Sequence, residues 1–107
     1  MNLDIEDLEQ PIDDVTEADI RAGLARLNSR YPRFAVLRIR PHYFIQTYAL
    51  DDGRLDVDYR EGGPDRAYVS PFPQTKEAVT DAFLSYLSDD NRWRTAFEWK
   101  RQPEEGP

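Results

Sequence analysis

The chain has 107 residues, 39% of them hydrophobic and 33% charged, which is the length and balance of one ordinary globular domain. It contains no cysteine, so a disulfide framework and any thiolate metal site are excluded. No run approaches the roughly 18 apolar residues of a membrane-spanning helix. The first residues, Met1 to Glu6, lack the basic and apolar regions of a signal peptide, and the absence of cysteine fits a reducing cytoplasm best.

The net charge of −7 is unevenly placed. The first 19 residues hold eight acids (Asp4, Glu6, Asp7, Glu9, Asp13, Asp14, Glu17, Asp19) and no base. The remainder carries 13 acids against 14 bases and is almost neutral. Like charges this dense repel over a screening length of roughly 8 Å, which favours an extended or solvated arm over residues 1–15. Such an arm is either solubilising or a lure for a basic surface. Leu3, Ile5, Leu8, Ile12 and Val15 are more aliphatics than a solubilising tail needs, and could dock along the domain or on a partner.

The domain proper, residues 16–101, opens with a helix expected over 17–29. Thr16 is a good N-cap, Glu17 and Asp19 suit the first turn, and Ile20, Leu24, Leu27 and Tyr31 fall at helical spacing. Pro32 stops it. Four strands follow, at Phe34–Ile39, Tyr43–Leu50, Arg54–Glu61 and Arg66–Ser70, joined by turns at Pro41, Asp52-Gly53 and Gly62-Gly63. Pro71-Phe72-Pro73 ends the sheet. Thr75 caps a second helix whose Val79, Ala82, Phe83, Tyr86 and Leu87 form one apolar face. Asp89 and Asp90 sit at its unfavourable end, with Arg92 and Arg94 near enough to offset them. Trp93 to Arg101 reads as a turn and a short last strand, and 102–107 as a polar tail. The expected fold is α+β, an antiparallel four-stranded meander flanked by two helices in the order α-β-β-β-β-α, with a possible short C-terminal strand.

A two-residue turn at Asp52-Gly53 pairs Leu50 with Leu55, Tyr48 with Val57 and Gln46 with Tyr59. The core face is then Ala35, Leu37, Ile39, Phe44, Gln46, Tyr48, Leu50, Leu55, Val57 and Tyr59. The second face carries Phe34, Val36, Arg38, Tyr43, Ile45, Thr47, Ala49, Asp56, Asp58 and Arg60, an apolar band with charges at its rim. That is the anatomy of a protein interface. Equally, Trp93, Phe97 and Trp99 could fold over it as a cover.

Catalytic apparatus is sparse. His42 is the only histidine, lies in a turn and has no nearby Ser or Thr arrangement. Asp56-Val57-Asp58 could hold a divalent ion, but alternation places both acids on the solvent face of a strand. Asp51-Asp52-Gly53 lacks the ligands of a calcium loop, and no phosphate-binding glycine motif occurs. Tyr43, Phe44, Tyr48 and Tyr59 suggest an RNA platform, yet Asp56 and Asp58 repel phosphate. No enzyme activity, cofactor, metal, nucleic acid or membrane is expected.

Tyr43-Phe44-Ile45-Gln46-Thr47-Tyr48, Asp52-Gly53, Val57-Asp58-Tyr59-Arg60-Glu61-Gly62, Asp65-Arg66 and the helix ending in Asp89-Asp90 before Trp93-Arg94 resemble small immunity proteins of bacterial polymorphic-toxin systems. The resemblance implies an acidic inhibitor that occludes a cognate toxin, often a nuclease or another enzyme with a positive active-site cleft. The partner is expected to be a toxin domain with a basic surface, and the protein a monomer or homodimer. It transfers no inhibitory residue. The expected partner-binding residues are Asp4, Glu6, Asp7, Glu9, Asp13, Asp14, Tyr43, Ile45, Asp56, Asp58, Trp93 and Trp99. The alternative is a secretion-chaperone-like or adaptor domain, homodimeric, holding an extended client. An enzyme using Asp56, Asp58 and His42 is the third reading.

Overall fold

The computed structural model describes residues 1–102; the expected tail at 102–107 lies, but for Gln102, outside the described residues. The class is α+β as expected, with more strands. In chain order the elements are β1 (Asn2–Ile5), β2 (Ile12–Asp13), α1 (Glu17–Ala25), β3 (Phe34–Arg40), β4 (Tyr43–Ala49), β5 (Leu55–Glu61), β6 (Ala67–Val69), α2 (Lys76–Ser88), α3 (Arg92–Ala96) and β7 (Lys100–Arg101). The strands form one antiparallel sheet in the order β2-β1-β3-β4-β5-β6-β7.

The acidic first residues are part of this sheet and not a solvated arm. β1 pairs along its whole length with β3, from Asn2 opposite Arg38 to Ile5 opposite Ala35. Leu3 and Ile5 are fully buried. Apolar and polar residues alternate from Asn2 to Glu6, so the acids point away from the core while the aliphatics enter it. Burial of two large aliphatics outweighs the charge repulsion, because exposed charges are solvated and screened.

α1 begins as expected: Thr16 accepts from the Asp19 amide, and Asp19 accepts from the Thr16 amide. It ends at Ala25, four residues before the expected 29. Asn28 organises the following loop, its Oδ1 accepting from the Arg30 and Tyr31 amides and its Nδ2 donating to the Arg26 and Tyr31 carbonyls. Such side-chain bonds compete with helix continuation. Lys76 Nζ donates to the Ala25 and Leu27 carbonyls at 3.1 and 2.8 Å, satisfying the helix end from α2.

The β4–β5 register differs from the expected one. Ala49 faces Leu55, Thr47 faces Val57 and Ile45 faces Tyr59. The loop has three residues: the Leu50 amide donates to the Arg54 carbonyl, the Gly53 amide to Leu50, and Gly53 takes φ +87°. Asp52 supports it by accepting from the Arg54 amide. One extra loop residue slips the register by one and turns every β4 side chain over. Ile45, Thr47 and Ala49 therefore enter the core, while Phe44, Gln46 and Tyr48 face outward. A bulge between Arg38 and Arg40, beside the Pro41-His42 turn, displaces Ile39, which is 45% exposed.

Both long helices pack on one sheet face. The core joins Ile20 and Leu24 of α1 and Val79, Ala82 and Phe83 of α2 to Leu3, Ile5, Leu37, Ile45, Leu55 and Val57 of the sheet. Trp93 lies on this same side, in edge contact with Tyr59 at 4.7 Å and tilted on Tyr86 at 5.3 Å. Trp99 meets Tyr59 at 4.7 Å and Phe97 at 5.7 Å. The C-terminal aromatics extend the core and do not cross to the other sheet face.

Candidate protein-binding surface

Pairing places the outward side chains in rows. One row runs Asp13, Asn2, Arg38, Phe44, Arg60, Ala67 from β2 to β6. The next runs Asp4, Val36, Gln46, Asp58, Val69, Lys100 from β1 to β7. A third pairs Phe34 with Tyr48 and Tyr48 with Asp56. None of these side chains joins the core cluster. The face has an apolar centre of Phe34, Val36, Phe44 and Tyr48 and a charged border, acidic toward β2 and β1. Tyr48 is 43% exposed, while Val36 is only 8% exposed and forms the floor of the apolar centre.

The centre is indented. Phe34, Val36, Gln46, Tyr48 and Asp58, with Thr47 below, line a groove of about 280 Å³. Burial raises the Asp58 carboxyl to about 6; a hydrogen bond from Gln46 pulls it down and the charge of Asp56 pushes it up. Arg33 lies over the Tyr48 ring at 4.4 Å, so this aromatic already carries a guanidinium. A larger groove of about 510 Å³ separates α1 from α2. Of its charges Arg21 pairs with Glu17, Asp81 with Arg92 and Lys76 with the end of α1, while Glu77 makes no ion pair within 4.0 Å among the described residues.

The twelve expected partner-binding residues do not share one surface. Asp4, Asp13, Asp56 and Asp58 lie on the outer face. Glu9, in the β1–β2 connection, and Asp14, just after β2, are exposed. Glu6 accepts from the Arg33 amide at 2.7 Å and Asp7 pairs with Arg26, so both fasten the β1–β2 loop to the body. Tyr43 points to the helix side under the Arg40 guanidinium, 4.0 Å away. Ile45 and Trp93 are core residues without a surface to offer, and Trp99 packs half-buried beside them. Phe44 and Tyr48, which the expected register assigned to the core, lie instead on the outer face. The signal for them was the choice between a two-residue and a three-residue loop at Asp52-Gly53, and the dipeptide fits both.

His42 sits exposed in its turn at φ +70°. Among the described residues no group of three or more His, Cys, Asp or Glu side chains is placed to hold a metal ion. No described helix is long and apolar enough to cross a membrane. Fold and surface together define a two-layer α+β domain with one open sheet face. The chain matches no family model, no curated protein and no solved structure.

Proposed function

We propose that this protein is a non-catalytic binding domain of the immunity type, which occludes a cognate bacterial toxin through the outer face of its sheet. The observation that carries the reading is the face itself: an apolar centre of Phe34, Val36, Phe44 and Tyr48, bordered by charge and left uncovered by the helices. Contiguous apolar surface rimmed by polar groups is the usual composition of a recognition site. Asp4 and Asp13 make one end of the face acidic, which suits a basic partner and would speed association at low salt. This acidic end belongs to the folded body, so it offers a fixed charge pattern.

Co-expression tests the reading. A neighbouring gene whose product arrests growth by itself should be neutralised by this protein and should purify with it. Tyr48→Asp, which places a charge in the apolar centre at an exposed position, should abolish both effects. Protection that survives Tyr48→Asp, in a variant shown to be folded, removes the outer face from the mechanism. A homodimer that captures unfolded clients instead would favour the secretion-chaperone reading.

A further inference from the structure

The outer-face groove contains a carboxyl that has no counter-ion, its one polar neighbour being the Gln46 amide. Asp58 is the only carboxyl lining it, and it makes no ion pair within 4.0 Å among the described residues. Its row neighbours are Gln46 across the strand and, beyond β6, Lys100 at the far edge. The other charged groups on this face around it are Asp56 and Arg60 on β5, Asp4 on β1, Arg38 on β3 and the Arg33 guanidinium stacked on Tyr48. Phe34 and Tyr48 are paired across β3 and β4 and both line the groove, Tyr48 with one ring face already under Arg33.

We propose that this groove receives the side chain of one arginine presented by the protein partner; the proposal rests on the reading of the outer face as the binding surface. A guanidinium matches the groove in three ways. Its planar faces suit aromatic walls, its forked N–H groups suit a carboxylate, and its weak hydration makes desolvation less costly than for an ammonium. The Gln46 side-chain oxygen adds a neutral acceptor beside Asp58. Arg33 over Tyr48 is a local example of the same stacking chemistry.

The pairing makes recognition pH-dependent with a definite sign. Asp58 is half-protonated near 6 in the free protein. A bound guanidinium favours the carboxylate, so binding is complete above that pH. It weakens as pH falls, by up to about tenfold per pH unit, until the carboxyl of the complex also protonates.

The test is a nuclear magnetic resonance titration of the full chain with Nα-acetyl-arginine methylamide, repeated with the lysine analogue and with Asp58→Asn. The expected result is a saturable shift confined to Phe34, Val36, Gln46, Tyr48 and Asp58, weaker for lysine, absent in Asp58→Asn and weakening below pH 6. Asparagine keeps the shape, and its spectrum reports whether the fold is intact. No saturable shift, an equal shift in Asp58→Asn, or an equal response to lysine overturns the proposal. Cross-linking from position 48 to a partner reads the binding face independently. Partner cross-links without arginine binding would sink the groove and spare the face, and absence of both would sink the two readings together.

Discussion

Replacing Asp58 with asparagine should stabilise the folded protein at neutral pH. Its carboxyl sits at about 6 in the fold against 3.8 for an unperturbed aspartate. Between those values the folded state binds more protons than the unfolded state, so stability falls as pH rises through the window. Each pH unit of displacement is worth 1.36 kcal/mol, so about two units make the ionised side chain cost up to ~3 kcal/mol at pH 7. Asparagine retains the shape and the bond to Gln46 and has no charge to desolvate. With a urea m-value of ~1.5 kcal/mol/M, the unfolding midpoint should rise by up to ~2 M at pH 7. Below about pH 4 the Asp58 carboxyl is protonated in the unfolded chain as well as in the fold, and the difference should vanish. A variant no more stable than the parent at pH 7, or one whose gain is equal at both pH values, refutes the account of Asp58. A stability cost of this kind at a surface groove is the trade expected where a side chain is kept for binding.

Leu3→Ala should cost 2–5 kcal/mol by urea denaturation, the usual range for a buried leucine. Unchanged stability would return the first residues to the status of an arm. Gly23→Ala gains about 1 kcal/mol of helix propensity, but the new methyl would lie 2.5 Å from Ile5 Cδ1, so the single variant should lose stability on balance. Adding Ile5→Val should recover part of that loss, and a double-mutant cycle with no coupling would contradict the packing of β1 on α1. Ser85→Ala should cost about 1–3 kcal/mol, because Ser85 Oγ accepts from the Trp93 amide and donates to Asp90. Bonds from Ser85 and Arg92 hold the Asp90 carboxyl well below the usual range, so its contribution is present above about pH 4 and lost on acidification. The alanine variant should therefore show a shallower acid limb in its stability–pH curve.

What could be read from the sequence was local. Thr16 and Thr75 cap their helices, and the apolar stripe of α2 is buried as its spacing requires. The parity of β5 was legible because Leu55, Val57 and Tyr59 alternate with Asp56, Asp58 and Arg60. β4 was not, since Phe44, Tyr48 and Leu50 on one parity compete with Ile45 and Ala49 on the other, and hydrophobicity favours the outward set. A single loop residue decided between them. β1 shows a clear period of two, yet its acids made charge the more conspicuous signal. Its partner β3 lies beyond a helix, a pairing that no local rule announces. The same two features conceal the proposed binding surface: the register flip brings Tyr48 and Phe44 outward, and β1 adds Asp4 to their face.

The central claim is that the outer sheet face, and not the helical layer, contacts another protein. Site-specific photo-cross-linking tests it most directly, with a benzophenone amino acid at position 48 on the outer face or at position 80 in the α1–α2 groove, in the cells that make the protein. A discrete adduct with a different protein from position 48 and none from position 80 is the predicted result. An adduct from position 80 alone, or only self-linked dimers from position 48, would contradict it.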